Sequence, residues 1–201
     1  MTRENKLYQR VYPIFWFLVA LIWHPRVIGR GNIPADGAFV VYASHTRNSD
    51  AVMMIYAMGR RSRLHIIGKD SLFKVPLLGK FLTAVGTIPL DRSKTDMQAV
   101  KRSMQYLKNG ERLGIFPEGT RVHEGESIAA KSGFVRMSER AGAPLLPMLI
   151  INKITFFQRP IVIIGEPIYV NPERKKIPAA DYDIIAEEMM QKALELGNAL
   201  S

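Results

Sequence analysis

Two residues in this chain have the types and the spacing to do proton chemistry together. They are His45 and Asp50, in the stretch Ser44-His45-Thr46-Arg47-Asn48-Ser49-Asp50. On a regular helix a separation of five rotates the second side chain about 140° from the first, off the face that positions three or four apart would share. The pair can therefore meet only where the chain bends. If it does, the carboxylate can orient the imidazole. The imidazole can then take a proton from a substrate hydroxyl while the carboxylate stabilises the imidazolium. A surface histidine followed by a helix-capping aspartate is the competing reading. Ser44 is a poor nucleophile for such a base, because neighbouring side chains in a strand point to opposite faces. The sequence also lacks a Gly-x-Ser-x-Gly elbow, so direct attack by a bound hydroxyl is the simpler scheme.

Three cations could serve the same site. Arg92 and Arg121, with Lys69 as a third candidate, suit a phosphate monoester, because guanidinium presents paired donors matched to phosphate oxygens. Each alone could equally be a solvated strand end. The sequence has no Gly-x4-Gly-Lys-Ser/Thr loop for a nucleoside triphosphate, and His123-Glu124 lacks the second histidine of a zinc helix. With no cysteine in 201 residues, thiolate metal sites, disulfides and a covalent thioester on the protein are excluded. The expected chemistry uses neither metal nor cofactor.

The elements that must position these groups follow from hydrophobic patterning. Val40-Val41-Tyr42-Ala43 reads as a buried strand delivering His45, and Asn48 or Ser49 as the cap of a helix from Asp50 that Gly59 stops. Leu64-His65-Ile66-Ile67 reads as a second strand, and residues 72–82, apolar and basic, as irregular helix and loop able to touch lipid. A strand from Val85 to Leu90 delivers Arg92. Ser93 or Thr95 then caps a helix with Met97, Val100, Met104 and Leu107 at helical spacing. Leu113 to Phe116 is a buried strand delivering Arg121, and a helix is expected from Ile128 to Arg140. Strands at 145–151 and 161–164 and a closing helix through Ile184 to Leu196 complete the chain. Strands alternating with helices predict a single α/β domain around a mostly parallel sheet. In such sheets ligands lie beyond the strands' carboxyl ends, where His45, Arg92 and Arg121 would gather.

Ahead of this domain (residues 26–201), residues 1–25 form a distinct segment. A basic start leads into Val11 to Trp23, thirteen uncharged residues, short of the roughly 20 needed to span a bilayer. Trp at both ends of its apolar core and basic flanks suit a helix inserted into one leaflet, with Pro13 near its first turn; a buried core helix is the alternative. The net charge of +10 favours an anionic partner.

At the level of motifs, His45-x4-Asp50, Gly86-Thr87-Ile88-Pro89-Leu90-Asp91-Arg92, Phe116-Pro117-Glu118-Gly119-Thr120-Arg121 and Pro144-Leu145-Leu146-Pro147 resemble the four ordered motifs of the glycerolipid acyltransferases, specifically the bacterial lysophosphatidate-acylating branch. Lys131-Ser132-Gly133 and Gly165-Glu166-Pro167-Ile168 are also similar to family segments. The departures are Ser44, where Asn is common, and Pro89 at a usually apolar position. The resemblance implies His45 as base, Asp50 as its orienting partner and Arg92 and Arg121 at the phosphate. It also implies that Glu118, Gly119 and Thr120 shape the acceptor site. The implied reaction moves an acyl chain from an acyl carrier protein or coenzyme A thioester to 1-acyl-glycerol 3-phosphate, giving phosphatidate, at the cytoplasmic face of the cell membrane and without nucleic acid as a partner. Glycerol 3-phosphate or another lyso-lipid is an alternative acceptor. The rival of another class is a non-catalytic basic lipid-binding protein.

Overall fold

Along β2 (Val40–Tyr42) successive side chains enter different cores. Val40 and Tyr42 pack on one face of the sheet, and Val41 on the other with Phe39 and Ala43. That period of two, with both faces apolar, marks a strand covered by helices on both sides. The computed structural model describes residues 3–76, 78–84, 86–91, 96–123, 126, 128–151 and 159–200. In chain order the elements around β2 are α1 (Arg3–Trp23), β1 (Arg26–Ile28), α2 (Asp50–Met58), β3 (Leu64–Lys69), α3 (Leu78–Ala84), β4 (Ile88–Leu90) and α4 (Met97–Lys108). They continue with β5 (Arg112–Ile115), α5 (Gly133–Ala141), β6 (Leu145–Ile151), β7 (Ile161–Ile164) and α6 (Asp181–Glu195).

The sheet order is β1-β7-β6-β2-β5-β3-β4. Strands β6, β2, β5, β3 and β4 are mutually parallel, while β7 turns antiparallel against β6 and pairs in parallel with β1. Helices α4, α5 and α6 cover the Val40–Tyr42 face through residues such as Leu107, Phe134 and Met189. Met53, Met54 and Ala57 of α2, with Val19 of α1, cover the other. The expected single α/β domain is thus observed, with a seven-stranded, mostly parallel sheet.

Helix α1 is longer than the apolar run, starting at Arg3 and holding Pro13 in its interior rather than its first turn. There the proline removes one intrahelical hydrogen bond. Tyr8, Tyr12 and Val19 form its buried stripe. The Tyr12 hydroxyl donates to Tyr56 O at 3.0 Å, the Trp16 ring stacks on Tyr56, and Gln9 Nε2 donates to Arg60 O. Burial pushes the Tyr8 and Tyr12 phenols far above the ordinary tyrosine range, so both remain donors. The opposite face leaves Ile14, Phe17, Leu18, Leu21 and Ile22 exposed. Among the described residues no helix is long and apolar enough to cross a membrane.

Three expected boundaries move. Helix α5 starts at Gly133, not Ile128, because the preceding backbone is committed elsewhere: Ala130 N donates to Glu187 Oε1 and Lys131 N to Pro117 O. Helix α4 is capped by Asp96, which accepts from Gln98 N and Ala99 N; Ser93 and Thr95, the expected caps, lie outside the described residues. Strand β4 starts at Ile88, and Val85 is likewise outside them.

Candidate active site

Strand β2 stops at Tyr42, and the chain leaves the sheet through Ala43, whose N–H donates to Ile115 O. His45 then sits just beyond the carboxyl end of the strand. The tight turn that follows is closed by Asp50 N donating to Arg47 O at 3.0 Å, and it delivers Asp50 as the first residue of α2. Ser49 holds the N-cap position without a side-chain capping bond. Asp50 is itself the organiser: one carboxylate oxygen, Oδ2, accepts Thr46 N at 2.7 Å and Arg47 N at 2.6 Å, and lies 3.2 Å from His45 Nδ1. The side chain of Asp50 is fully buried, that of His45 largely so. The bend required by the spacing of five is present, and the two residues meet.

Two backbone amides donate to Asp50 Oδ2, so that oxygen is an acceptor. His45 Nδ1 therefore carries the hydrogen, and Nε2 is the basic nitrogen left for a substrate. The Phe116 ring stacks on the imidazole with centroids 4.3 Å apart, and Val122 N donates to His45 O at 2.8 Å. The turn leaving β5 is therefore fastened to His45 at both of its ends. Sequence reasoning placed Phe116 inside the buried strand. Its role beneath the histidine depends on β5 pairing directly with β2, Leu113 against Val40, which no local pattern reports.

Within that turn Glu118 is buried, with Oε2 accepting no hydrogen bond among the described residues. Gly119 has φ 70° and donates to Phe116 O, a left-handed conformation that glycine adopts without strain. Thr120 and Arg121 are exposed. Lys69 ends β3, with β5 between it and β2, so it occupies the same end of the sheet as His45. Arg92 lies outside the described residues. Among the described residues no group of three His, Cys, Asp or Glu is placed to hold a metal ion.

A base with a fixed tautomer and cations at adjacent strand ends can deprotonate a hydroxyl on an anionic molecule. Residues 24–151 match the model of the family described as Acyltransferase. The chain belongs to that family. The matched stretch of this acyltransferase runs from His24 to Ile151 and so contains the His45–Asp50 turn, the 116–122 turn and Lys131, but not α1, β7 or α6. It is similar to the 1-acyl-sn-glycerol-3-phosphate acyltransferase of Bacillus subtilis, 29% identical over 87% of this chain and 89% of that protein. A protein of the same name from Borreliella burgdorferi is 26% identical over 83% of this chain and 70% of its own. The fold is shared with the crystal structure of the 1-acyl-sn-glycerophosphate (LPA) acyltransferase PlsC from Thermotoga maritima. Its TM-score is 0.70 at 23% identity, covering 96% of this chain and 79% of that one.

Proposed function

We propose that this acyltransferase acylates the free hydroxyl of 1-acyl-glycerol 3-phosphate, giving phosphatidate, with a coenzyme A or acyl carrier protein thioester as donor. The observation that carries it is the His45–Asp50 contact within a stretch shared with relatives named for that reaction. His45 Nε2 takes the hydroxyl proton as the oxygen attacks the thioester carbonyl. The tetrahedral intermediate then expels the thiolate, which recovers the proton from the imidazolium. Asp50 stabilises the imidazolium between those steps. Arg121, Arg92 and Lys69 hold the phosphate, while Glu118, Gly119 and Thr120 shape the acceptor's seat. No metal or cofactor enters this scheme.

Both substrates carry long acyl chains, and the exposed apolar residues suit a protein that meets them at a bilayer. Strand β1 runs opposite to β2 through the antiparallel β6–β7 pair, so Arg26 at its start lies at the His45 end of the sheet. The second half of α1, just before it, presents Phe17 (60% exposed) and Leu21 (69%). Leu72 and Val75, also exposed, follow the carboxyl end of β3 at that same end. The protein sits on the membrane surface with the sheet's carboxyl end toward lipid, on the cytoplasmic face where the thioester donors are made. The exposed α1 face enters one leaflet and its tyrosine face remains on α2.

The test is an acyl-transfer assay with the purified full chain, lysophosphatidate, glycerol 3-phosphate and monoacylglycerol as acceptors, and both thioesters as donors. Turnover is expected with lysophosphatidate and is expected to vanish in His45→Ala. Acceptance of none of the three would reduce the protein to a lipid binder.

A further inference from the structure

The acceptor's phosphorus is separated from the carbon bearing its reactive hydroxyl by only one carbon and one oxygen. Once that hydroxyl is at His45, the phosphate lies within a few bonds of the imidazole, and segments touching His45 are well placed to supply a cation to it. The 116–122 turn is such a segment, fastened by the Phe116 stack and by Val122 N to His45 O. A second stretch of chain lies directly on it. Lys131 N donates to Pro117 O at 3.0 Å, and the lysine side chain folds back over the turn. A β-carbon on Gly119 would sit 3.3 Å from Lys131 Nζ and 3.5 Å from Cε.

That placement leaves the ammonium unconsumed. Lys131 makes no ion pair among the described residues. Glu118, the carboxylate next to Gly119, is buried with Oε2 lacking a hydrogen-bond partner and makes no ion pair with the lysine among the described residues. Lys131 is nevertheless exposed, open to an anion arriving from solvent or lipid. A lysine stem laid across a left-handed glycine, with its charge free, holds a cation at a defined place where a surface lysine would sweep solvent.

From this geometry we infer that Lys131 is a specificity-determining residue that binds the acceptor's phosphate from across the Gly119 turn, together with Arg121. The inference rests on the acceptor reading above and adds a residue from outside the strand-end motifs. It also gives the glycine a purpose: a β-carbon at 119 would press on the lysine's ammonium as well as straining the backbone.

The experiment compares Lys131→Met, which keeps the stem, and Lys131→Arg, which keeps the charge, with wild type in two measurements on the full chain. In steady-state kinetics, Lys131→Met should raise KM for lysophosphatidate about ten- to a hundred-fold, the loss expected for one charge-assisted contact. KM for the thioester should stay within about two-fold, and Lys131→Arg should recover most of the loss. In thermal melts, inorganic phosphate should raise the melting temperature of wild type relative to chloride at matched ionic strength, and Lys131→Met should abolish that rise. A phosphate response that depends on Lys131 in a protein that does not acylate lysophosphatidate would retire the acceptor reading and keep the phosphate site. Normal acylation with both KM values and the phosphate response unchanged in Lys131→Met would overturn the inference and keep that reading. An equal rise in both KM values would also overturn it, marking Lys131 as structural.

Discussion

Phe116 lies nearly face to face with His45, the planes 24° from parallel, while Asp50 holds the opposite constraint through Nδ1. The imidazole is thereby fixed in both rotation and tilt, and only Nε2 is free to meet a hydroxyl. Proton transfer is sensitive to displacements of about 1 Å, which can cost on the order of a hundred-fold. Phe116→Ala should lower kcat about ten- to a hundred-fold, with both KM values within a few-fold and Phe116→Leu intermediate. Melting curves run beside the kinetics decide the cause. A fall in activity that only tracks lost stability would make Phe116 a packing residue.

Helix α2 reaches the sheet at a glycine. A β-carbon on Gly114 would sit 2.8 Å from Met54 Sδ and 2.9 Å from Ile66 Cγ1, both within a buried core. Gly114→Val should destabilise the fold by about 1–3 kcal/mol through overpacking, and Gly114→Ala by less. Because α2 carries Asp50, kcat should fall too. An unchanged urea midpoint for the valine variant would mean that α2 can shift at no cost.

How much of this was legible in sequence depends on where the bonding partners lie. The run Val40 to Tyr42, the turn to Asp50 and the stop at Gly59 depend on local pattern and spacing, and the structure follows them, although Ser49 makes no capping bond there. The start of α5 could not be placed, because Ala130 and Lys131 are held by Glu187 and Pro117, partners distant in the chain. The antiparallel β7 was equally invisible, since periodicity reports which face is buried and not which strand lies alongside. In α1 the buried stripe at Tyr8, Tyr12 and Val19 is set by α2, whereas composition displayed only the apolar run. Of the two readings of that segment, the core helix accounts for the buried stripe, and the lipid-facing helix is the proposal made above for the exposed face. His65 passed as an ordinary strand residue, yet its ring lies on Tyr106 between Glu111 Oε2 at 2.7 Å and Gly86 O at 2.9 Å.

The two faces of α1 can be separated experimentally. Phe17→Ser with Leu21→Ser should weaken binding to anionic vesicles by roughly 1.5–3 kcal/mol per buried side chain removed while leaving the melting temperature near wild type. Tyr12→Phe, which removes the bond to Tyr56 O, should cost about 1 kcal/mol of stability and leave vesicle binding intact. Co-sedimentation and thermal melts read the two. Vesicle binding unaffected by the double substitution would remove α1 from the membrane contact.

Asp96 ties the start of α4 to the residue that follows β4. Its carboxylate accepts Ala99 N and Gln98 N on α4 and Asp91 N beyond β4. These bonds, Ala99's first and Asp91's second, hold its carboxyl below the usual aspartate range. A carboxyl depressed in the folded state stabilises fully above its unfolded value, about 3.9, and loses that contribution as pH falls through the lower folded value. Asp96→Ala should therefore melt a few degrees below wild type at neutral pH. The gap should narrow in acid below about pH 4. A gap that stayed constant into acid would assign the effect to lost packing.

The decisive substitution is at Asp50, where both amides and the imidazole converge on one oxygen. In Asp50→Asn the two backbone N–H donors select the amide oxygen over the amide nitrogen for that place, because a nitrogen there would set donor against donor. The hydrogen bonds and the His45 tautomer then survive, and only the charge is lost. Turnover should fall about 10²- to 10⁴-fold, since the imidazolium formed during attack has lost its counter-charge. Both KM values and the urea midpoint should stay close to wild type. Asp50→Ala removes the acceptor of both turn amides as well, so it should also lose about 1 kcal/mol of stability per hydrogen bond. His45→Ala should abolish nearly all turnover in a folded protein. If Asp50→Asn turned over at the wild-type rate while Asp50→Ala unfolded, the carboxylate would serve only to hold the turn that precedes α2. The proton chemistry would then have to be assigned to His45 acting alone.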